Sequence, residues 1–70
     1  MEREAVNSSH IVSVGYDPEA RKLQVEFTGG KVYEYDEVSA AKYEQMRAAK
    51  SMGSFLHSHI KHHAYRIIQK

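Results

Sequence analysis

The sequence predicts an α+β fold in which a three-stranded antiparallel β-meander is followed by two α-helices (β-β-β-α-α). Three observations support this prediction. Apolar and polar residues alternate with a period of two in the first half of the chain. Turn-forming residues separate these stretches, and apolar residues recur at steps of three and four after residue 38. Two consecutive helices in so short a chain should pack on one face of the sheet.

The first predicted strand precedes a turn at Asp17-Pro18-Glu19-Ala20. Alternation places one set of side chains on one face of this strand: His10, Val12, Val14 and Tyr16. Ile11 would then point to the opposite face. Aspartate at the first turn position and proline at the second fit a type I turn, so the chain should reverse there into a second strand.

The second and third predicted strands form a β-hairpin around Gly29-Gly30, which can supply the positive φ of a tight turn. A two-residue loop would direct Tyr33 and Tyr35 away from the core. A three-residue loop closed by a bulge would instead place Val25 opposite Tyr33 and Leu23 opposite Tyr35, with both tyrosines inside. The sequence leaves both registers open, because a shift of one residue exchanges the two faces of a strand.

Two helices are expected after residue 38. Ser39 is a suitable N-cap for the first helix, and Val38 stands five residues before Tyr43, the spacing of a hydrophobic staple. Gly53 suits the end of this helix, and Ser54 could cap the second one. The apolar stripe of the second helix would comprise Phe55, Leu56, Ile60, Ala64 and Ile67 or Ile68.

Length and composition predict a single small domain. We expect residues 1–8 to be a flexible N-terminus and residues 9–70 to form the domain. The chain has no cysteine, which excludes disulfides and thiolate metal sites. It shows neither a secretory signal nor a stretch approaching the roughly 18 apolar residues of a membrane span. We therefore expect a cytoplasmic protein without a membrane partner.

Charge is distributed unevenly along the chain. Residues 1–46 hold all nine acidic residues and five of the ten basic ones, whereas residues 47–70 hold the other five basic residues and no acid. Four of the five histidines also lie in the basic part, where mild acidification would add positive charge. Cations near helix C-termini would account for some of this pattern. The complete absence of acids over the last part favours a surface that attracts phosphate.

No motif in the sequence identifies a catalytic or metal site. His59 and His63 stand four residues apart, with His62 between them, a helical spacing that can hold a metal. However, no cysteine, aspartate or glutamate stands nearby to complete the ligand set. There is no nucleophile elbow, and Gly29-Gly30 joins two strands rather than opening a phosphate-binding helix. We expect no catalysis, no metal and no cofactor.

A set of residues with characteristic spacing extends over nearly the whole chain. It comprises Ser8-Ser9, Gly15-Tyr16-Asp17, Leu23-x-Val25-x-Phe27, Gly30, Tyr33-x-Tyr35, Val38, Tyr43, Ala49, Ser51-x-Gly53, Phe55 and Ile60. In this pattern the chain resembles the KTSC domain family. That family occurs at the C-terminus of some lysyl-tRNA synthetases and as short stand-alone bacterial and phage-related proteins, and the resemblance implies RNA binding. The histidines after residue 56 are outside the pattern.

The sequence thus predicts a small non-catalytic module that binds RNA or another nucleic acid. Tyrosines on an open sheet face would stack on bases, and cations of the C-terminal helices would meet phosphates. The residues predicted to contact nucleic acid are Tyr33, Tyr35, Arg47, Lys50, Lys61 and Arg66. The alternative is a protein-interaction or self-association module, in which the same Tyr-x-Tyr face packs on a partner protein or on a second copy.

Overall fold

The computed structural model describes residues 3–69 and contains one five-stranded antiparallel sheet. Its strands lie side by side in chain order: β1 (Glu4–Ala5), β2 (Ile11–Asp17), β3 (Lys22–Phe27), β4 (Val32–Tyr35) and β5 (Tyr65–Gln69). Between β4 and β5 the chain forms α1 (Ala40–Ala48), α2 (Met52–Phe55) and a π-helical segment (Leu56–Ile60). The α+β class is confirmed, whereas the predicted number of three strands is wrong.

The first additional strand, β1, lies in the segment that was expected to be flexible. Glu4 pairs with Val14 of β2, and Ala5 pairs with Ser13. A strand of two residues is too short to show an alternating pattern. The sequence therefore carries no local signal for it, and only its pairing with β2 defines it.

The second additional strand, β5, replaces the end of the predicted second helix. Helical structure starts earlier than predicted, because Ser51 rather than Ser54 is the N-cap of α2: the Ser51 hydroxyl accepts the Ser54 backbone N–H at 3.3 Å. Gly53 lies inside α2 instead of ending α1. Residues 65–69, rich in β-branched and aromatic side chains, pair with β4. Short apolar stretches fit a helix stripe and a strand equally well, so pairing decided between them.

Strand β2 contains an irregularity that exchanges two predicted positions. Its register against β3 shifts between Ile11 and Ser13, and this shift leaves Ile11 buried and Val12 42% exposed. The prediction that Val12 shares a face with Val14 and Tyr16 was therefore wrong, because an extra residue in a strand reverses the faces beyond it. Val14 and Tyr16 keep the predicted face, opposite Val25 and Leu23 of β3.

The hairpin of β3 and β4 adopts the three-residue loop. The Phe27 N–H donates to the Lys31 carbonyl at 2.8 Å, and Leu23 and Val25 lie opposite Tyr35 and Tyr33. Gly29 and Gly30 have φ of 100° and 93°, values that a side chain would disfavour. Both tyrosines consequently lie on the side of the sheet that carries the core, and not on its open face.

The core lies between this side of the sheet and the helices. As predicted, α1 begins after Ser39, whose hydroxyl accepts the Lys42 N–H at 3.1 Å. The Tyr16 and Tyr43 rings stack with centroids 4.8 Å apart and thereby join β2 to α1. The buried cluster comprises Ile11, Val14, Leu23, Val25, Tyr35, Val38, Met46, Leu56 and Ile60.

Candidate nucleic-acid interface

A groove of about 580 Å³ opens between the sheet and the segment that contains α2 and the π-helix. Three parts of the chain form its walls: residues 8–10, the core side of the sheet, and residues 51–61. The lining residues are Ser8, Ser9, His10, Phe27, Tyr35, Ser51, Gly53, Ser54, Leu56, His57, Ser58 and Lys61. Five of them are serines and three carry a lysine or histidine side chain, whereas none is acidic. This set of donors suits an anionic ligand.

The cationic part of the groove is built by consecutive turns of one helical segment. Lys61 Nζ lies 3.5 Å from His57 Nε2, and both side chains are exposed. His10 contributes a second imidazole from the segment that precedes β2. A phosphate beside these groups could receive hydrogen bonds from lysine and histidine and also from serine hydroxyls.

An aromatic cluster adjoins the groove. Phe27 and Tyr35 line it, and the Tyr33 ring packs against Phe27 and Tyr65 with centroid distances of 5.2 and 5.3 Å. Tyr65 also lies 5.7 Å from Tyr35. The accessible member is Tyr65, which is 54% exposed, whereas Tyr35 is 5% exposed. The surface that could stack on a base is therefore centred on Tyr65 and half-buried Tyr33.

The Tyr35 hydroxyl is held in its protonated form. Burial, followed by the neighbouring Tyr33 and Tyr65, raises the pKa of Tyr35 to about 12. At neutral pH this group therefore brings no negative charge to the groove, and it remains a hydrogen-bond donor.

The opposite, open face of the sheet carries a polar network centred on Glu34. This carboxylate, which is nearly buried, accepts the Gln24 amide at 3.0 Å and two Arg66 N–H groups at 3.0 and 2.7 Å. Lys22 Nζ lies 3.8 Å from Glu34 and also bonds Asp36. The hydrogen bonds from Gln24 and Arg66 hold the pKa of Glu34 below its ordinary value of 4.5. This face is thus a polar surface rather than an open aromatic platform.

The predicted contact residues do not form one surface. Tyr35 and Lys61 line the groove, and Tyr33 lies in the adjoining aromatic cluster. Lys50 is exposed in the connection that follows α1. Arg47 and Arg66 are engaged in ion pairs elsewhere.

Both arginines of the predicted set are bound to carboxylates of the same chain. Arg47 pairs with Glu4 of β1 and donates to the Tyr43 hydroxyl at 2.9 Å. Arg66 is bound by Glu34 on the opposite face of the sheet. The uneven charge along the sequence is therefore partly balanced across the fold, because acids of the first half meet cations of the second.

Sequence reasoning did not select the serines of the groove, His10 or His57 as site residues. A signal was nevertheless present. Ser8-Ser9 and Ser51-x-Gly53, two separate parts of the spacing pattern, meet in the groove together with Phe27 and Tyr35 of the same pattern. Only folding brings them together, because residues 8–9 and 51–53 are far apart along the chain.

The remaining histidines occupy separate positions. The His59 ring packs on Phe55 with centroids 4.5 Å apart, and His63 Nδ1 lies 2.9 Å from the Asp36 carbonyl oxygen. Within residues 3–69, no group of three or more His, Cys, Asp or Glu side chains is placed to hold a metal ion. In the same part of the chain, no helix is long and apolar enough to span a bilayer.

An antiparallel meander, with the helices inserted before its last strand and a groove between helix and sheet, defines a small α+β domain. The chain belongs to the KTSC domain family, whose sequence model matches residues 7–65. A crystal structure of a KTSC domain protein from Yersinia pestis superposes with a TM-score of 0.90 at 36% identity and covers 96% of each chain. The family predicted from the sequence pattern is therefore confirmed.

Two further relatives have similar length. An uncharacterized protein of Stutzerimonas stutzeri is 38% identical over 66 residues, which are 94% of this chain and 93% of that protein. A protein of Tsukamurella paurometabola is 41% identical over 56 residues, which are 80% of this chain and 84% of that protein. The similarity therefore extends over most of each chain.

Proposed function

We propose that this KTSC domain binds single-stranded RNA, or another single-stranded nucleic acid, in the groove and does so without catalysis. The observation that carries this proposal is the composition of the groove: cationic and hydroxyl donors, no carboxylate, and an adjoining aromatic cluster. Single-stranded nucleic acid requires this combination, because its phosphates are anionic and its unpaired bases stack on aromatic rings. A cytoplasmic location belongs to the same proposal.

The proposed contacts differ from those expected from the sequence alone. Lys61, His57 and the serine hydroxyls bind the phosphate backbone, and a base stacks on the exposed ring of Tyr65 beside Tyr33. Arg66 remains with Glu34 on the opposite face and contributes little. The core-side groove thus takes the role that had been expected for the open face of the sheet.

We expect Lys61→Gln to weaken the binding of a short fluorescent oligouridine roughly tenfold at low salt, which corresponds to about 1.4 kcal/mol. The loss of one phosphate contact should also flatten the plot of log affinity against log salt by about 0.7. Fluorescence anisotropy over a series of salt concentrations measures both quantities.

The matched control is Lys42→Gln, which removes the same charge from α1, outside the groove. If RNA binds in the groove, the affinity of this variant for oligouridine should stay close to that of the unmodified chain. Equal effects of the two substitutions would show that only net charge matters. An absence of binding by the unmodified chain at low salt would overturn the proposal.

Tyr65 provides the test of stacking. We expect Tyr65→Ala to weaken RNA binding by about 1–3 kcal/mol, the usual contribution of one stacked base, whereas Tyr65→Phe keeps the ring and the affinity. Because Tyr65 is exposed, its removal should leave the fold intact, and far-UV circular dichroism checks this. If Tyr65→Ala binds as tightly as Tyr65→Phe, the aromatic cluster has no part in binding.

The second candidate function, protein interaction or self-association, is favoured by a different observation. Strand β5 exposes three large hydrophobic side chains, Tyr65, Ile67 and Ile68, and β5 lies at the edge of the sheet. An uncovered apolar edge strand is typical of an interaction surface.

A further inference from the structure

Strand β5 is the last strand of the sheet, and within residues 3–69 its outer side pairs with no other strand. It is five residues long, and Tyr65, Ile67 and Ile68 are 54%, 39% and 43% exposed. Edge strands of soluble proteins are commonly protected by charges, prolines or covering loops. The apolar side chains of β5 leave its backbone open to another strand.

The backbone hydrogen bonds identify which groups of β5 point outwards. The Asp36 N–H donates to the Ala64 carbonyl at 2.8 Å, so the polar groups of Ala64 face β4. Successive residues of an antiparallel strand direct their N–H and C=O groups to alternate sides. The backbone N–H and C=O groups of Arg66 therefore also face β4, where Arg66 lies opposite Glu34. The backbone groups of Tyr65 and Ile67 face outwards.

We propose that two copies of this chain pair antiparallel through β5 and form one continuous sheet around a two-fold axis at Ile67. Ile67 is the midpoint of Tyr65–Gln69, and it is the last residue of β5 before the register against β4 shifts. The outward N–H and C=O groups of Ile67 then bond to Ile67 of the partner subunit. The exposed apolar side chains become partly covered at the same time.

Charge favours a second copy as the occupant. Arg66 is the single charged residue in 65–69, and Glu34 of its own chain already binds it. The register centred on Ile67 places Arg66 opposite Ile68 of the partner subunit, whereas a two-fold axis at Arg66 would set the two arginines directly opposite each other. Like charges in that position are destabilising, so the sequence of β5 favours the symmetric register.

The other edge of the sheet explains why assembly should stop at two. Strand β1 has two residues and carries Glu4, whose carboxylate is bound to Arg47. A short charged strand is a poor template for further pairing. Pairing of β5 with β5 uses the same edge of both subunits, as in other two-fold interfaces. The assembly therefore ends at the dimer and does not grow into fibres.

The mass of the full chain in solution tests this proposal. Sedimentation velocity over increasing concentration should show the mass rising from 8.0 kDa towards twice that value. Ile67→Lys places a charge at the centre of the interface and should weaken the dimer at least tenfold. The matched control is Val12→Lys, since Val12 is 42% exposed on β2 against 39% for Ile67, and it should dimerise like the unmodified chain.

Amide hydrogen exchange of the unmodified chain provides a readout that does not depend on the folding of a variant. Dimer formation through β5 should slow exchange at Tyr65 and Ile67 as concentration rises, while Glu4 of β1 does not change. A chain that stays monomeric at all concentrations, or a doubled mass without protection of these two amides, would overturn the proposal. Dimerisation that is equally strong in Ile67→Lys would overturn it as well.

Discussion

Replacing Tyr35 with alanine should lower the free energy of unfolding by about 3–5 kcal/mol, the usual cost of deleting a large buried aromatic side chain. Tyr35 is 5% exposed and belongs to the buried cluster with Leu23 and Ile60. A domain of this size has only a few kcal/mol of net stability, so most of the protein should unfold at room temperature. Urea denaturation followed by far-UV circular dichroism measures the change.

The control for this prediction is Tyr35→Phe, which keeps the ring in the core and should remain within about 1.5 kcal/mol of the unmodified chain. Full stability of Tyr35→Ala would show that the ring lies outside the core, as in the two-residue hairpin register. The same reasoning shows that a variant lacking both Tyr33 and Tyr35 is a poor test of RNA binding. Such a variant loses core packing together with any stacking surface.

Replacing Glu34 with glutamine should destabilise the domain by about 1.5–3 kcal/mol at neutral pH, the range for hydrogen bonds to charged groups. The substitution keeps the size of the side chain but removes the charge that Arg66 and Lys22 contact. The measurement is the free energy of unfolding at pH 7. Ser13→Ala, which removes a hydrogen bond from β2 to Glu26 of β3, should cost less and serves as the comparison.

The same carboxylate should make stability depend on pH in a defined direction. The pKa of Glu34 is lower in the folded chain than its ordinary value of 4.5, because Gln24 and Arg66 donate hydrogen bonds to the ionised form. Its contribution is therefore fully present above pH 4.5 and is lost as the pH falls through the lower, folded-state pKa. Asp36, whose pKa is lowered by a hydrogen bond from Lys22, acts in the same direction.

Urea titrations between about pH 3 and 7 measure this dependence. The Glu34→Gln variant should lose less stability on acidification than the unmodified chain, because the group that takes up the proton is absent. Parallel losses in the two proteins would show that Glu34 is not the carboxylate responsible.

The candidate site lies in the groove rather than on the open face of the sheet because of a one-residue difference in the length of the hairpin loop. The sequence offered two hairpins that differ by one loop residue, and the structure adopts the one that turns Tyr33 and Tyr35 to the core side. Had the loop contained two residues, Tyr33 would lie beside Glu26 and Tyr35 beside Gln24 on the polar face. The candidate site therefore depends on an alternative that local pattern could not decide.

The sequence by itself determined the features that depend on neighbouring residues. These are the α+β class, the hairpin at Gly29-Gly30, the start of α1 at Ser39 and the membership of the KTSC domain family. Alternation, caps and turns act over a few residues, so their signals are complete in the local sequence.

The tertiary structure decided the hairpin register, strands β1 and β5, and the partners of the charges. Strand β5 exists because residues 65–69 pair with β4, and the Glu34–Arg66 contact within that pairing joins residues 32 positions apart. The groove likewise forms where residues 8–10 meet residues 51–61. Such features depend on the free energy of contacts between segments that are distant in the chain. Local propensities carry no information about these contacts.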